Sequence, residues 1–397
     1  MKRYRILGIS AFFVLLLALI LFAPVGQETE QDYRSRELQA SREIQAQLQS
    51  LRAQIKEKNY TFSVGYTTAM DYKIEQITGL VEPPNLKELM QKKKIEAENL
   101  ISSSLKEKVE GGCSASSTTF DWRKQDGATP VRNQKGCGSC WAFSTLGAFE
   151  GSYRIINNCA IDSAEQDLLD CNPSGYSCGG GWWSFQYVIN TGVARESDYP
   201  YQAVKGTCNS SVQRPYKALS WGYVGSALIP SITEIKNALC QYGPLAIAVQ
   251  VTPQFQAYTG GVYNACANFW QGSTNYAVND LIMPTGSDII YICIAAGTTN
   301  PTEPVWPPLP QPGDPPPTVI DGTVVWRYSG RVNHGVTLIG WDDSKSAWLI
   351  KNSWGTTWGE TCGFGTENGF MWISYNCNNI GLGAAWVQAK EKTGCCN

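Results

Sequence analysis

Cys140 stands in the run Gln134-Lys135-Gly136-Cys137-Gly138-Ser139-Cys140-Trp141-Ala142-Phe143-Ser144. Turn-forming residues precede it and helix-compatible residues follow. It therefore falls where a turn opens into a helix, with Ser139 in position to act as N-cap. A thiol there feels the positive end of the helix dipole, which favours the thiolate, the attacking form. A free thiol with a pKa of about 8.5 would be mostly protonated at neutral pH, and an imidazole partner lowers such a pKa to about 3–4. The chain has 1 histidine, so that partner has to be His334, in Asn333-His334-Gly335-Val336. Asn352, in Lys351-Asn352-Ser353-Trp354-Gly355, suits the task of orienting the imidazole, because an amide oxygen accepts from the ring without adding charge. Gln134 lies six residues before Cys140, where its amide can donate to an oxyanion beside the Cys140 backbone N–H. Cys137 and Cys140 also have the C-x-x-C spacing of a redox pair or of half a zinc site. No second such pair completes a zinc site, and a single histidine excludes a multi-His centre, so no metal is expected.

These groups need elements to position them. Residues 141–156 suit a helix that Cys140 opens. Residues 244–251 (PLAIAVQV), 336–341 (VTLIGW) and 347–351 (AWLIK) read as strands. His334 then stands near the start of one strand and Asn352 just past the end of another. Residues 27–112 are different: they are rich in Glu, Lys, Arg and Gln and hold no Cys. Ile44, Leu48, Leu51 and Ile55 form one stripe of an amphipathic helix that Asn59 ends. Phe62 and Val64 alternate like a short strand, and residues 87–108 read as a second, more charged helix. Gly111, Gly112 and the small polar run 114–119 read as an exposed linker of the kind proteases cut. Between Ala267 and Arg331 lies a stretch of a third kind. It has a Pro-rich patch at 307–317 and short β-prone pieces at 289–294 and 323–326, the pattern of a small β-module.

The chain has 397 residues, enough for two or three folded units at about 150 residues each. A net charge of −2 with 17% charged residues gives no broad footprint for nucleic acid. Lys2, Arg3 and Arg5 precede an apolar run over residues 6–23, the layout of a secretory signal and also long enough for an uncleaved membrane anchor. Either one, covering residues 1–26, places the rest outside the cytoplasm, where the 14 cysteines can form lasting disulfides.

At this point the residues resemble the papain family of cysteine peptidases, and the cathepsin L-like members in particular. QKGCGSCWAFST, YSCGGGW at 176–182, YPY at 199–201, NHGV at 333–336 and KNSWGTTWGE at 351–360 follow the family's order. The resemblance implies an α+β, papain-like two-domain fold, a mainly helical half and a β-barrel-like half, with the active-site cleft between them. It implies Cys140 as nucleophile, His334 as acid and base, Asn352 as the orienting group and Gln134 in the oxyanion hole. Trp354 and Trp358 would sit beside the site, Trp354 shielding the Asn–His hydrogen bond. It further implies disulfides Cys137–Cys178 and Cys171–Cys208, and Cys266 paired with Cys377. No cofactor follows from it.

The same resemblance places Gly180 and Gly181 against the backbone of an extended peptide substrate. Ala248, Gly335 and Leu382 would line an uncharged pocket for a bulky apolar P2 residue, the second residue before the cut. Gly65-Tyr66-Thr67-Thr68-Ala69-Met70-Asp71 resembles a motif of the family's inhibitory propeptides, which makes residues 27–117 propeptide and linker. The longer propeptide helix signature is matched only at Ile55 and Asn59. Residues 118–266 and 332–390 would be the catalytic domain, and 267–331 an insertion with self-contained β structure before the catalytic His. Trp270, Trp306 and Trp326 in that insertion offer flat faces for stacking on a glycan or surface ligand, or for packing a small core. The expected partners are protein or peptide substrates and the chain's own propeptide. Two other function classes remain in view, a surface-binding adhesin and a thiol–disulfide oxidoreductase. The set Gln134, Cys140, His334 and Asn352 weighs against both, since neither needs it.

Overall fold

The computed structural model describes residues 30–98, 112–310 and 314–392. The apolar run at 6–23, the part of the expected second charged helix beyond Glu98, Gly111, Cys395 and Cys396 lie outside these residues. Among the described residues, no helix is long and apolar enough to cross a membrane.

The strand His334–Asp342 organises the body. Its run of Val, Thr, Leu and Ile is buried on both faces, as expected for a central strand. It pairs antiparallel with Leu245–Val249, His334 opposite Val249 and Gly335 opposite Ala248. It also pairs antiparallel with Ala347–Lys351, Thr337 opposite Lys351. Outward from these lie Phe370–Ser374 and Tyr258–Tyr263 on one side, Leu382–Ala389 and Ala218–Tyr223 on the other. The helix Cys140–Asn157 packs on the central strand, where Ser144 Oγ donates to the Val336 carbonyl at 2.7 Å. Gly147 is required at that crossing, since a Cβ there would lie 2.4 Å from Thr337 Oγ1. The α+β architecture has two apolar cores. One fills the sheet around Leu338, Trp341 and Trp348. The other surrounds the helix through Trp141, Phe149, Leu168 and Phe185. The cleft opens where the start of that helix meets the start of the central strand.

The N-terminal region lies across this body. The predicted stripe becomes the helix Arg42–Glu57, capped by the Ser41 hydroxyl, with Leu48 and Leu51 fully buried. Asn59 ends it with φ +54°, and Thr61–Val64 adds an edge strand beside Tyr258–Tyr263, burying Phe62 and Val64. A short helix, Ile74–Ile77, is followed by a crossing of the cleft and the helix Leu86–Glu98. The linker expected over 114–119 ends sooner than its composition suggests. The Ser117 carbonyl accepts from Trp341 Nε1 at 2.9 Å, and Thr119–Asp121 pairs with the central strand.

Residues 268–330 contribute a separate sheet of five strands, ordered Thr318–Asp321, Val324–Gly330, Ile290–Ala295, Leu281–Met283 and Asn268–Phe269. Its core holds Ile282, Tyr291, Cys293, Val324 and Trp326. Trp326 is therefore a core residue with no free face. Trp270 and Trp306 are half-buried, their indole N–H groups donating to Asp321 and Glu303. The described part of the Pro-rich patch lies outside the strands, as expected of residues without backbone donors.

Disulfides join Cys137 to Cys178, Cys171 to Cys208, and Cys266 to Cys377. A fourth, Cys113–Cys240, closes 127 residues of chain. Each such bridge contributes about 2–4 kcal/mol by restricting the unfolded chain. Cys159 is also disulfide-bonded, and Cys140, Cys293 and Cys362 are free thiols.

Candidate active site

Ser139 occupies the N-cap position of the helix Cys140–Asn157 but leaves its N–H groups uncapped. Its hydroxyl pairs instead with the Tyr201 hydroxyl at 2.6 Å. The backbone N–H groups of Gly335, Gly79, Trp141 and Cys140 itself lie around the thiol and favour its ionised form. Gly335 follows His334, so the start of the central strand abuts the start of the helix. A Cβ at Gly335 would lie 3.1 Å from the Trp183 ring and 3.3 Å from the Cys140 carbonyl oxygen, which explains the glycine.

His334 is fully buried, and its Nε2 lies 2.8 Å from Asn352 Oδ1. The same amide oxygen accepts the Ser353 N–H at 2.8 Å. The Ser353 N–H fixes this atom as the amide oxygen, which can only accept, so Nε2 is the donor and carries the proton. Nδ1, buried and without a hydrogen-bond partner, is left as the basic nitrogen. Trp354 covers the pair, its ring centred 4.7 Å from the imidazole, and Trp358 packs edge-on behind it. The Lys351 ammonium donates to Thr129, whose hydroxyl donates to Glu150 on the helix. This chain pins the strand end that carries Asn352 to the helical half. Gln134 is clamped by accepting from Ser353 Oγ at 2.7 Å, and its Nε2 donates to the Cys137 carbonyl at 2.8 Å.

The N-terminal region occupies this site. The Ile77 carbonyl accepts from Gln134 Nε2 at 3.1 Å and from Trp354 Nε1 at 3.2 Å. Gly181 N–H donates to the Gly79 carbonyl at 2.9 Å, and Val81 N–H to the Gly181 carbonyl at 3.0 Å. Leu80 thus pairs with Gly181 as a parallel strand, while its own N–H donates to Asn333. A Cβ at Gly79 would lie 1.9 Å from the Gly138 carbonyl oxygen, so only glycine passes that closely over the cysteine loop. A Cβ at Gly181 would lie 2.7 Å from the Tyr176 ring and 2.8 Å from the Trp141 ring, and Gly180 holds a turn with φ +135°. Ala248 pairs with Gly335 on one side and Leu382 on the other, and Leu80 belongs to the apolar cluster that includes Ala248 and Leu382.

Covering the site changes its protonation. Burial pushes the Cys140 thiol up to about 11, more than its backbone hydrogen bonds lower it. Burial also lowers the His334 imidazole to about 4, against the raising effect of the Asn352 hydrogen bond. Burial thus favours the neutral form of both groups in this covered state. Desolvation in this covered state therefore works against the helix dipole, which favours the thiolate. Sequence reasoning missed Ile77, Gly79 and Val81, whose contacts run through backbone atoms. It also missed Cys113 as the partner of Cys240.

The protein-family model described as papain family cysteine protease matches residues 116–280 and 319–388, more than half of the chain. Among curated relatives, a cathepsin L-like peptidase of Aedes aegypti is 32% identical over 254 residues, covering 61% of this chain and 56% of that one. Zingipain-2 of Zingiber officinale is 29% identical over 251 residues, 61% of this chain and 84% of its own. The solved structure of digestive procathepsin L2 proteinase from Tenebrio molitor larval midgut shares the fold, with a TM-score of 0.56 at 23% identity over 90% of this chain and 93% of that one. The family match spans the helix that begins at Cys140, the strand that begins at His334 and the strand that ends just before Asn352. The protein is a cysteine peptidase and belongs to the papain family.

Proposed function

We propose that the chain is the zymogen of an extracytoplasmic cysteine endopeptidase, with Cys140, His334, Asn352 and Gln134 as its catalytic set. Residues 27–117 form its inhibitory pro-segment and the linker that follows it, 118–266 and 332–390 its catalytic domain, and 267–331 an inserted module. The observation that carries the latency is the occupation of Gly181 and Gln134 by residues 77–81, the groups a substrate would need. Disulfides within the body favour an oxidising compartment.

Once the pro-segment leaves, the Cys140 thiolate attacks the substrate carbonyl carbon while His334 holds the proton. The oxyanion accepts from Cys140 N–H and Gln134 Nε2. His334 then protonates the leaving amine as the C–N bond breaks, leaving a thioester. Water, deprotonated by His334, attacks the thioester, and release of the acid restores the thiolate. Gly180 and Gly181 give the substrate backbone a strand edge to pair with. The grouping of Leu80 with Ala248 and Leu382 supports a bulky apolar P2 residue. The deciding experiment is labelling of the processed chain with an epoxysuccinyl inhibitor, with the adduct expected on Cys140. An adduct elsewhere, or none, would refute the assignment.

Gln134→Ala is expected to lower kcat about 10²–10³-fold, the cost of one lost oxyanion donor. The check is steady-state kinetics on a short peptide ester and amide, and an unchanged kcat would remove Gln134 from the oxyanion hole.

The Cys113–Cys240 bridge constrains where the activating cut falls. A cut after Cys113 would leave the pro-segment covalently tied to the body, whereas a cut before it frees the pro-segment. We expect the mature N-terminus to precede Cys113. The mature band should then lack the pro-segment on non-reducing as well as reducing gels. Loss of the pro-segment only on reduction would place the cut after Cys113.

A further inference from the structure

The separate sheet touches the N-terminal region at two places. At the first, Lys58 Nζ, just past the helix Arg42–Glu57, lies 2.7 Å from Asp280 Oδ2, a side chain only 8% exposed. Asp280 is held in a tight turn, since the same oxygen accepts the Ala277 N–H at 2.8 Å and its carbonyl accepts the Cys293 N–H at 2.8 Å. Gln54, buried on the same helix, donates to the Val278 carbonyl. Gln254 of the catalytic body donates to Gln54 Oε1 at 3.2 Å and reaches the Asn279 carbonyl at 3.4 Å. Helix, module turn and body therefore meet in one buried polar junction.

At the second place, Arg331 Nε lies 2.7 Å from Asp288 of the module, and Arg331 Nη1 lies 3.3 Å from Glu82. Asn379 of the body fixes this corner by donating to the Asp288 and Arg331 carbonyls at 2.7 and 3.0 Å. Gln54 and Lys58 precede the stretch 77–81 that covers Cys140, and Glu82 follows it. The two contacts bracket the cover.

We propose that residues 267–331 are a docking platform for the chain's own pro-segment, gripping it before and after the stretch over Cys140 so that latency depends on the module. This rests on the zymogen reading above. Buried polar partners are costly to leave unpaired, so opening the cleft requires the pro-segment to break at least one grip. With one grip intact, the other end rebinds as an intramolecular event at high effective concentration. A side chain on a merely decorative module would gain nothing from matching a segment destined for removal.

The test uses the full-length chain. Intact-mass spectrometry follows epoxysuccinyl labelling of Cys140 in the uncut species. Lys58→Glu, which leaves the module's own residues unchanged, and Asp280→Lys are each expected to speed labelling about tenfold, the scale of coupling between contacting groups. Lys58→Glu combined with Asp280→Lys should restore a rate near wild type. Lys56→Glu, the same charge change on an exposed position of the same helix, should leave it unchanged. Wild-type rates in both single variants would overturn the proposal. So would failure of the charge swap to rescue, which would assign Asp280 a role inside the module alone. If the uncut wild type labels as fast as the processed enzyme, latency itself fails. If the wild type is slow and the variants match it, latency stands and only the module's part in it fails.

Discussion

Cys140→Ser in the processed chain is expected to abolish peptide hydrolysis, with a loss of up to about 10⁶-fold in kcat as for nucleophiles that act as a unit with their base. The reason is chemical rather than structural. The substitution exchanges a single atom, sulfur for oxygen, at the first residue of the helix Cys140–Asn157 and leaves the backbone there unchanged. Thermal stability should therefore stay close to wild type. A serine hydroxyl does not ionise beside an imidazole as a thiol does, so no ground-state nucleophile forms. His334→Ala should be nearly as severe, since it is the histidine of the chain and no other imidazole can substitute. The double variant should be little worse than either single one. Asn352→Ala should cost less, because the amide orients the ring through one 2.8 Å bond and transfers no proton. Activity of Cys140→Ser on a fluorogenic peptide with an apolar P2 residue, measured after removal of the pro-segment, checks this. Retained turnover would end the peptidase reading.

What could be read from the sequence follows from which interactions leave a side-chain pattern. The strand from His334 and the helix from Cys140 are continuous apolar or helix-compatible runs, so periodicity finds them within a residue or two. The helix Arg42–Glu57 shows itself by one stripe, and Phe62 with Val64 by alternation. The cover over the site shows no such pattern. Ile77, Gly79 and Val81 act through carbonyls and N–H groups that every residue type offers. Cys113 and Cys240 are 127 residues apart, and pairing across such a distance has no local signal. The Lys58–Asp280 contact joins two regions that look independent in composition. The thiolate that the helix position favours meets an opposing effect when the site is covered. A helix dipole contributes about 0.3–1 kcal/mol near a terminus, less than the cost of burying an unpaired charge. An open site would impose little of that cost, and this one is closed by residues 77–81.

That closure predicts opposite pH behaviour for the same thiol before and after processing. In the uncut chain burial pushes the Cys140 thiol up to about 11, so the thiolate is expected to appear only as pH rises. At pH 5 the thiolate is then about one part in 10⁶. In the processed chain, with water admitted and a charged imidazole available, a pKa of about 4 is expected, as in other Cys–His pairs. The thiolate then dominates already at pH 5. Part of that gain is offset, since nucleophilicity falls with pKa with a slope of about 0.4–0.5, or about 10³-fold over this range. Iodoacetamide alkylation at pH 5 should still be about 10³-fold faster in the processed chain, and only about tenfold faster at pH 7. The profiles should differ as clearly as the rates. Alkylation of the uncut chain should climb about tenfold per pH unit from pH 5 to 9, while that of the processed chain stays nearly flat. Intact-mass spectrometry separates the two species within one sample, and peptide mapping distinguishes Cys140 from the buried thiols Cys293 and Cys362. A flat profile in the uncut chain would mean that the ion pair forms beneath the pro-segment. Latency would then come from blocking the substrate's path alone, with no contribution from holding the nucleophile neutral.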